Sequence, residues 1–123
     1  MVDNGSEMTI YIDGNAEISV DSSSSKAINL GFYYNSPFAI GMSAADVRYF
    51  NGYVSEARVW KRALTPTELK NNQCYVDPTT AEGLIGYWRL DQVEDDGRTF
   101  ADLSGNGYHG KASSNPTWTG EIK

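Results

Sequence analysis

The sequence predicts an all-β protein, an antiparallel jelly-roll-like β-sandwich with one short capped helix near residues 65–72. Three observations lead there. Apolar side chains recur with period two in short runs such as Met8-Thr9-Ile10-Tyr11-Ile12. Gly, Asp, Asn and Pro punctuate those runs at short intervals, as in a sandwich. Only one stretch changes period: residues 52–62 alternate, and from Thr65 the pattern becomes that of a helical turn. A chain of 123 residues can bury one core, so a single domain over residues 1–123 is expected.

The elements follow in order. Met8, Ile10 and Ile12 share one strand face, and Asp13-Gly14 after them is a hairpin signal, because Gly accepts the positive φ of a tight turn. Ala16, Ile18 and Val20 belong to the return strand. After the polar loop Asp21 to Ser25, Ile28, Leu30, Phe32 and Tyr34 form another row, with Tyr33 on the opposite face. Pro37 interrupts, and residues 38–42 read as a short strand. In residues 52–62 Tyr53, Ala57 and Val59 lie on one face and Val54, Arg58 and Trp60 on the other, the two-sided apolar pattern of a covered strand. Thr65-Pro66-Thr67-Glu68 then starts a helix: Thr65 caps, Pro66 suits the first helical position, and Glu68 bonds back to the cap. Leu64 and Leu69 staple the turn, and Asn71-Asn72 ends it. Residues 73–83 read as a connector, residues 84–90 as a strand, Ser104-Gly105-Asn106-Gly107 as a tight turn, and Tyr108 to Ala112 as the return from it.

"MTIYIDGN", "FAIGM" and "FNGYVSEARVWKRALTPTEL" resemble the closing half of a laminin-G-like domain of the concanavalin A-like lectin/glucanase group. "GLIGYWRLDQVEDDGRTFADLSGNGYHG" resembles the opening half of the same domain. The order is inverted here: residues 1–72 carry the closing-half motifs and residues 84–123 the opening-half-like ones. The resemblance implies a jelly roll. It further implies a non-catalytic module that binds a carbohydrate or a surface ligand, in a C-terminal fragment of a larger exported bacterial protein. It places the chain outside the cell or at the cell surface, beside other domains of its parent. The alternatives are a structural spacer or protein-interaction module without glycan binding and, less favoured, a glycoside hydrolase fragment.

Related sandwich glucanases carry Glu-x-Asp-x-x-Glu on one strand. Here Glu56 stands alone, with Arg58 where a second acid would sit. Glycoside hydrolysis needs two carboxylates, so no enzyme activity and no catalytic residue are expected, and a salt link from Glu56 to Arg58 or Arg62 is the preferred reading. "QVEDDG" lacks the glutamate that closes an EF-hand loop and reads as an acidic turn. "DLSGNG" supplies Asp102 and Asn106, oxygen donors like those with which related lectin loops hold a structural calcium. The same residue types are what any tight turn uses, so no metal ligand is assigned and no cofactor is expected, with a structural calcium as the alternative.

The net charge of −6 argues against nucleic-acid partners, which need clustered Lys and Arg. No apolar run reaches the ~18 residues of a membrane span, so no membrane insertion is expected, and the N-terminus lacks the layout of a signal peptide. Cys74, the single cysteine, has no partner for an intrachain disulfide. Three Trp and eight Tyr are more rings than a small core hides. Exposed rings stack on the C–H faces of sugars, and amides or carboxylates beside them meet the hydroxyls. The candidate ligand-binding residues on that ground are Tyr33, Asn35, Asp46, Tyr49, Tyr108 and Trp118.

Overall fold

The computed structural model describes residues 1–23, 38–43 and 48–113. Among the described residues the fold is all-β with one short helix, and every strand pair is antiparallel. This is the predicted class, that of a jelly-roll-like sandwich. The chain divides into two compact units, residues 1–51 with 62–76 and residues 52–61 with 77–123.

In the first unit β1 (Val2–Asp3), β2 (Glu7–Ile12) and β3 (Asn15–Asp21) form a sheet in that order. The predicted turn joins β2 to β3: Ile12 pairs with Asn15, and Asp13 and Gly14 take φ of 50° and 75°. Two consecutive left-handed residues make the tight turn whose twist matches the strands. Gly14 is needed twice over, since a Cβ there would lie 2.8 Å from Lys70 Cγ and 2.9 Å from Gln73 Nε2.

The predicted apolar row exists, because Met8 pairs with Val20 and Ile10 with Ile18. It is not a core row. Ile10, Ile12, Ile18 and Val20 are exposed, Ile18 by 60%, whereas Thr9 on the opposite face is only 8% exposed. Alternation sorts side chains into two rows, but what covers a row is decided elsewhere in the chain. Thr9 meets its burial with a hydroxyl contact of 2.9 Å to Ser19 Oγ. Ala16 departs from the row as well: a bulge leaves Glu17 unpaired and sets Ala16 opposite Tyr11.

β4 (Met42–Ser43) pairs with β5 (Arg48–Tyr49). The strand expected over residues 38–42 thus begins only at Met42, because Gly41 with φ of 74° bends the chain just before it. The row Ile28 to Tyr34 lies outside the described residues.

α1 (Pro66–Asn71) starts as its sequence dictates. The Thr65 hydroxyl accepts from Glu68 N–H at 3.2 Å, and Glu68 Oε2 accepts from Thr65 N–H at 2.8 Å. Two N–H groups that a helix start leaves unpaired are thereby satisfied. Glu68 Oε1 also accepts from Arg62 Nη2 at 2.6 Å. Arg62 first, then the Thr65 N–H and hydroxyl, hold the Glu68 carboxyl down at about 2 from its usual 4.5. Leu64 is buried and Leu69 half-buried, as a staple across the first turn requires, and Asn72 caps the far end.

In the second unit β6 (Glu56–Trp60) pairs with β7 (Leu84–Arg89), and β8 (Thr99–Phe100) with β9 (Gly110–Lys111). All five residues of β6 are half-buried, as its two-sided pattern implies. Leu84, Tyr87, Trp88 and Phe100 are buried. The Trp88 indole reaches back along its own strand to Gly86: a methyl there would sit 2.9 Å from Trp88 Cζ2, so only glycine fits against the indole. In the acidic turn before β8, Asp96 accepts the backbone N–H groups of Arg98 at 2.9 Å and Thr99 at 2.7 Å. With the Thr99 hydroxyl as the largest influence, these bonds hold its carboxyl at about 2. The carboxylate closes its own turn, as the sequence suggests for this loop.

Candidate functional site

The loop between β8 and β9, residues 101–109, is organised around one carboxylate. Asp102 is 7% exposed, and its backbone bridges to Trp88 of β7. Its Oδ1 accepts the N–H of Tyr87 at 3.0 Å and of Ser104 at 2.9 Å, and its Oδ2 accepts the N–H of Tyr108 at 3.0 Å. Burial pushes the Asp102 carboxyl up, but the bonds from Ser104, Tyr87 and Tyr108 outweigh it, and the group stays ionised below its ordinary range. Ile85 O accepts from Ser104 Oγ at 3.1 Å and from Asn106 Nδ2 at 3.3 Å, which fastens the turn to β7.

These directions bear on the calcium reading of Asp102 and Asn106. The oxygens of Asp102 face three N–H donors, whose positive ends repel a cation, and Asn106 turns its donor end inward. The arrangement is that of a turn closed on a carboxylate. No group of three His, Cys, Asp or Glu side chains suited to a metal occurs among the described residues.

What the loop holds outward is Tyr108. Its N–H is spent on Asp102, its carbonyl accepts from the buried Trp88 Nε1 at 2.7 Å, and its ring is 64% exposed. A backbone fixed on both sides of an exposed ring makes a preorganised contact, since little freedom is left to lose on binding. Asn106 and His109 are exposed in the same loop, and His109 Nδ1 accepts the Asp102 N–H at 3.2 Å.

Tyr49, the other described candidate, is 68% exposed on β5 in the first unit, opposite Met42. Tyr33, Asn35, Asp46 and Trp118 lie outside the described residues. Exposed rings among the described residues that the sequence reading does not select are Phe38, Phe50, Tyr53 and Tyr75. The alternating pattern places Tyr53 on a strand, yet β6 begins only at Glu56. The sequence marks Asp102 as a turn residue, but its bond to Tyr87, 15 residues earlier, has no local signal.

Glu56 does make the expected link to Arg58. The two side chains form an ion pair, Glu56 Oε2 accepts from Tyr87 Oη at 2.9 Å, and the Arg58 guanidinium lies 5.1 Å from the centre of the Tyr87 ring. Register explains the cluster, because Arg58 pairs with Tyr87 on one face of the β6–β7 ladder. A glutamate held by a cation and a phenol is fixed in place.

Among the described residues no helix is long and apolar enough to cross a membrane. No curated protein and no solved structure gives a significant match to the chain. The Laminin G 3 family model, described as the concanavalin A-like lectin/glucanases superfamily, matches residues 1–70. That stretch contains the β2–β3 hairpin, β6 and the capped start of the helix, and it is more than half of the sequence. The chain belongs to the concanavalin A-like lectin/glucanase superfamily.

Proposed function

We propose that the chain is a non-catalytic module that binds carbohydrate or a surface ligand within a larger exported protein, outside the cell or at its surface. The observation that carries this reading is Tyr108, an exposed ring on a backbone anchored to Asp102 and Trp88. Sugars offer flat C–H faces to such rings, and the exposed Asn106 supplies an amide for neighbouring hydroxyls. Tyr49 is a second stacking position in its own unit, and Tyr33, Asn35, Asp46 and Trp118 complete the proposed set. Membership of the superfamily supports the ligand class without selecting it, since one fold carries many functions. Residues 1–123 are proposed to act as one sandwich domain. In support, the β6–β7 ladder joins a strand inside the family match to one beyond it. The ion pair at Glu56 speaks for the absence of hydrolysis, because that strand offers a single carboxylate and Arg58 already holds it.

The test is titration of an oligosaccharide panel, with and without added calcium, followed by NMR shifts. Shifts centred on Tyr108 or Tyr49, lost in Tyr108→Ala or Tyr49→Ala with the fold intact, support the reading. A panel that moves neither ring refutes it. A protein-interaction module is then the reading to take up, favoured by the exposed Ile10, Ile12, Ile18 and Val20 of the hairpin.

A further inference from the structure

The sequence contains three Asn-Gly pairs, at 4–5, 51–52 and 106–107, and the structure holds them in different ways. At the first, Asn4 Oδ1 accepts the N–H groups of Ser6 and Glu7, each at 2.9 Å, and the Gly5 N–H donates to Asp3 Oδ1 at 2.9 Å. At the third, Asn106 Nδ2 donates to Ile85 O at 3.3 Å and to Ser104 Oγ at 3.0 Å. At the second, neither the Asn51 side chain nor the Gly52 N–H has a hydrogen-bond partner among the described residues. Residues 51–55 are all exposed, and the neighbouring Tyr53 is 81% exposed.

We propose that Asn51-Gly52 is a self-modifying site, at which the folded chain deamidates in preference to its two other Asn-Gly pairs. The chemistry needs only water. Hydroxide takes the Gly52 amide proton, and the nitrogen attacks Asn51 Cγ. A new C–N bond forms and the bond from Cγ to the side-chain nitrogen breaks. The leaving nitrogen takes up a proton and departs as ammonia, leaving a five-membered imide. Water then opens the imide at either carbonyl, giving aspartate or isoaspartate at position 51.

Three requirements decide the site. The side-chain amide must be free to swing back onto the chain, the following N–H must be open to base, and the following residue must not obstruct the approach. Glycine meets the last at all three pairs; only residues 51–52 meet the other two. At Asn4 the side chain must give up two bonds and the Gly5 nitrogen a third. At Asn106 the amide must leave Ile85 and Ser104. Each such bond slows the reaction by roughly 2- to 10-fold if it has to break first. The chain passes from one compact unit to the other between Asn51 and Gly52. An isoaspartyl link there lengthens the connecting backbone by one methylene and adds a negative charge.

The experiment is incubation of the full chain in native, mildly alkaline buffer, with digestion and mass spectrometry at intervals. The expected result is conversion at Asn51 about 10-fold or more ahead of Asn4 and Asn106, with all three rates converging in denaturant. Hydroxylamine added under native conditions should trap the imide and sever the chain at 51–52, and Asn51→Gln should abolish that cut. Equal rates at the three pairs in the folded chain overturn the proposal. So does a native chain that hydroxylamine leaves whole, or a cut that persists in Asn51→Gln.

Discussion

The β2–β3 hairpin and the Asp102 loop are built on opposite plans. The hairpin has a continuous ladder and a matched turn, yet its apolar row of Ile10, Ile12, Ile18 and Val20 is exposed. The loop has almost no regular structure, yet it surrounds a buried carboxylate whose hydrogen bonds reach Tyr87, Ser104 and Tyr108. Backbone regularity and burial are therefore separate achievements. A ladder is closed by local hydrogen bonding, whereas a core needs side chains from distant segments, and here a short irregular loop gathers them more fully than a regular sheet.

Mutations at the two places should differ accordingly. Asp102→Ala strands the buried Tyr87 N–H and loosens the partly buried N–H groups of Ser104 and Tyr108, so a loss of about 2–3 kcal/mol is expected by denaturant unfolding. A loss under about 1 kcal/mol would mean that water readily replaces the carboxylate. At the helix the expected effect is intermediate: Thr65→Ala removes the cap and costs about 1 kcal/mol in the same measurement. Ile18→Thr on the exposed row should change stability by less than about 0.5 kcal/mol. A larger loss would show that the row is covered in solution.

Acid sharpens the middle case. Because the folded-state pKa of Glu68 lies below its ordinary value, ionised Glu68 favours the folded form. That contribution is complete above pH 4.5 and is lost as pH falls through about 2. An NMR titration should find the Glu68 carboxyl still ionised at pH 3.5, where a free glutamate is mostly protonated. Removing Arg62, its first partner, as Arg62→Ala should raise that midpoint.

The parts legible in the sequence were those set by neighbours along the chain. Thr65, Pro66 and Glu68 encode a helix start within four residues, and Asp13-Gly14 encodes a turn within two. The link from Glu56 to Arg58 was readable for the same reason, since residues two apart share a strand face. The burial of Thr9 was not readable, because period two cannot say which row the rest of the chain will cover. Nor was the anchoring of Tyr108. Its two backbone bonds go to residues 6 and 20 positions earlier, and only folding brings those groups together.

The bond from Trp88 Nε1 to the Tyr108 carbonyl also has a spectroscopic consequence. Indole emission depends on what its N–H touches and on how dry the ring is. Trp88 is buried against Gly86 and is tied to the backbone of the same residue whose ring faces solvent. Anything that tilts Tyr108 by its ring pulls on the carbonyl that fixes the indole. In a chain with Trp60 and Trp118 replaced, the emission of Trp88 should therefore report displacement of the Tyr108 backbone without a label.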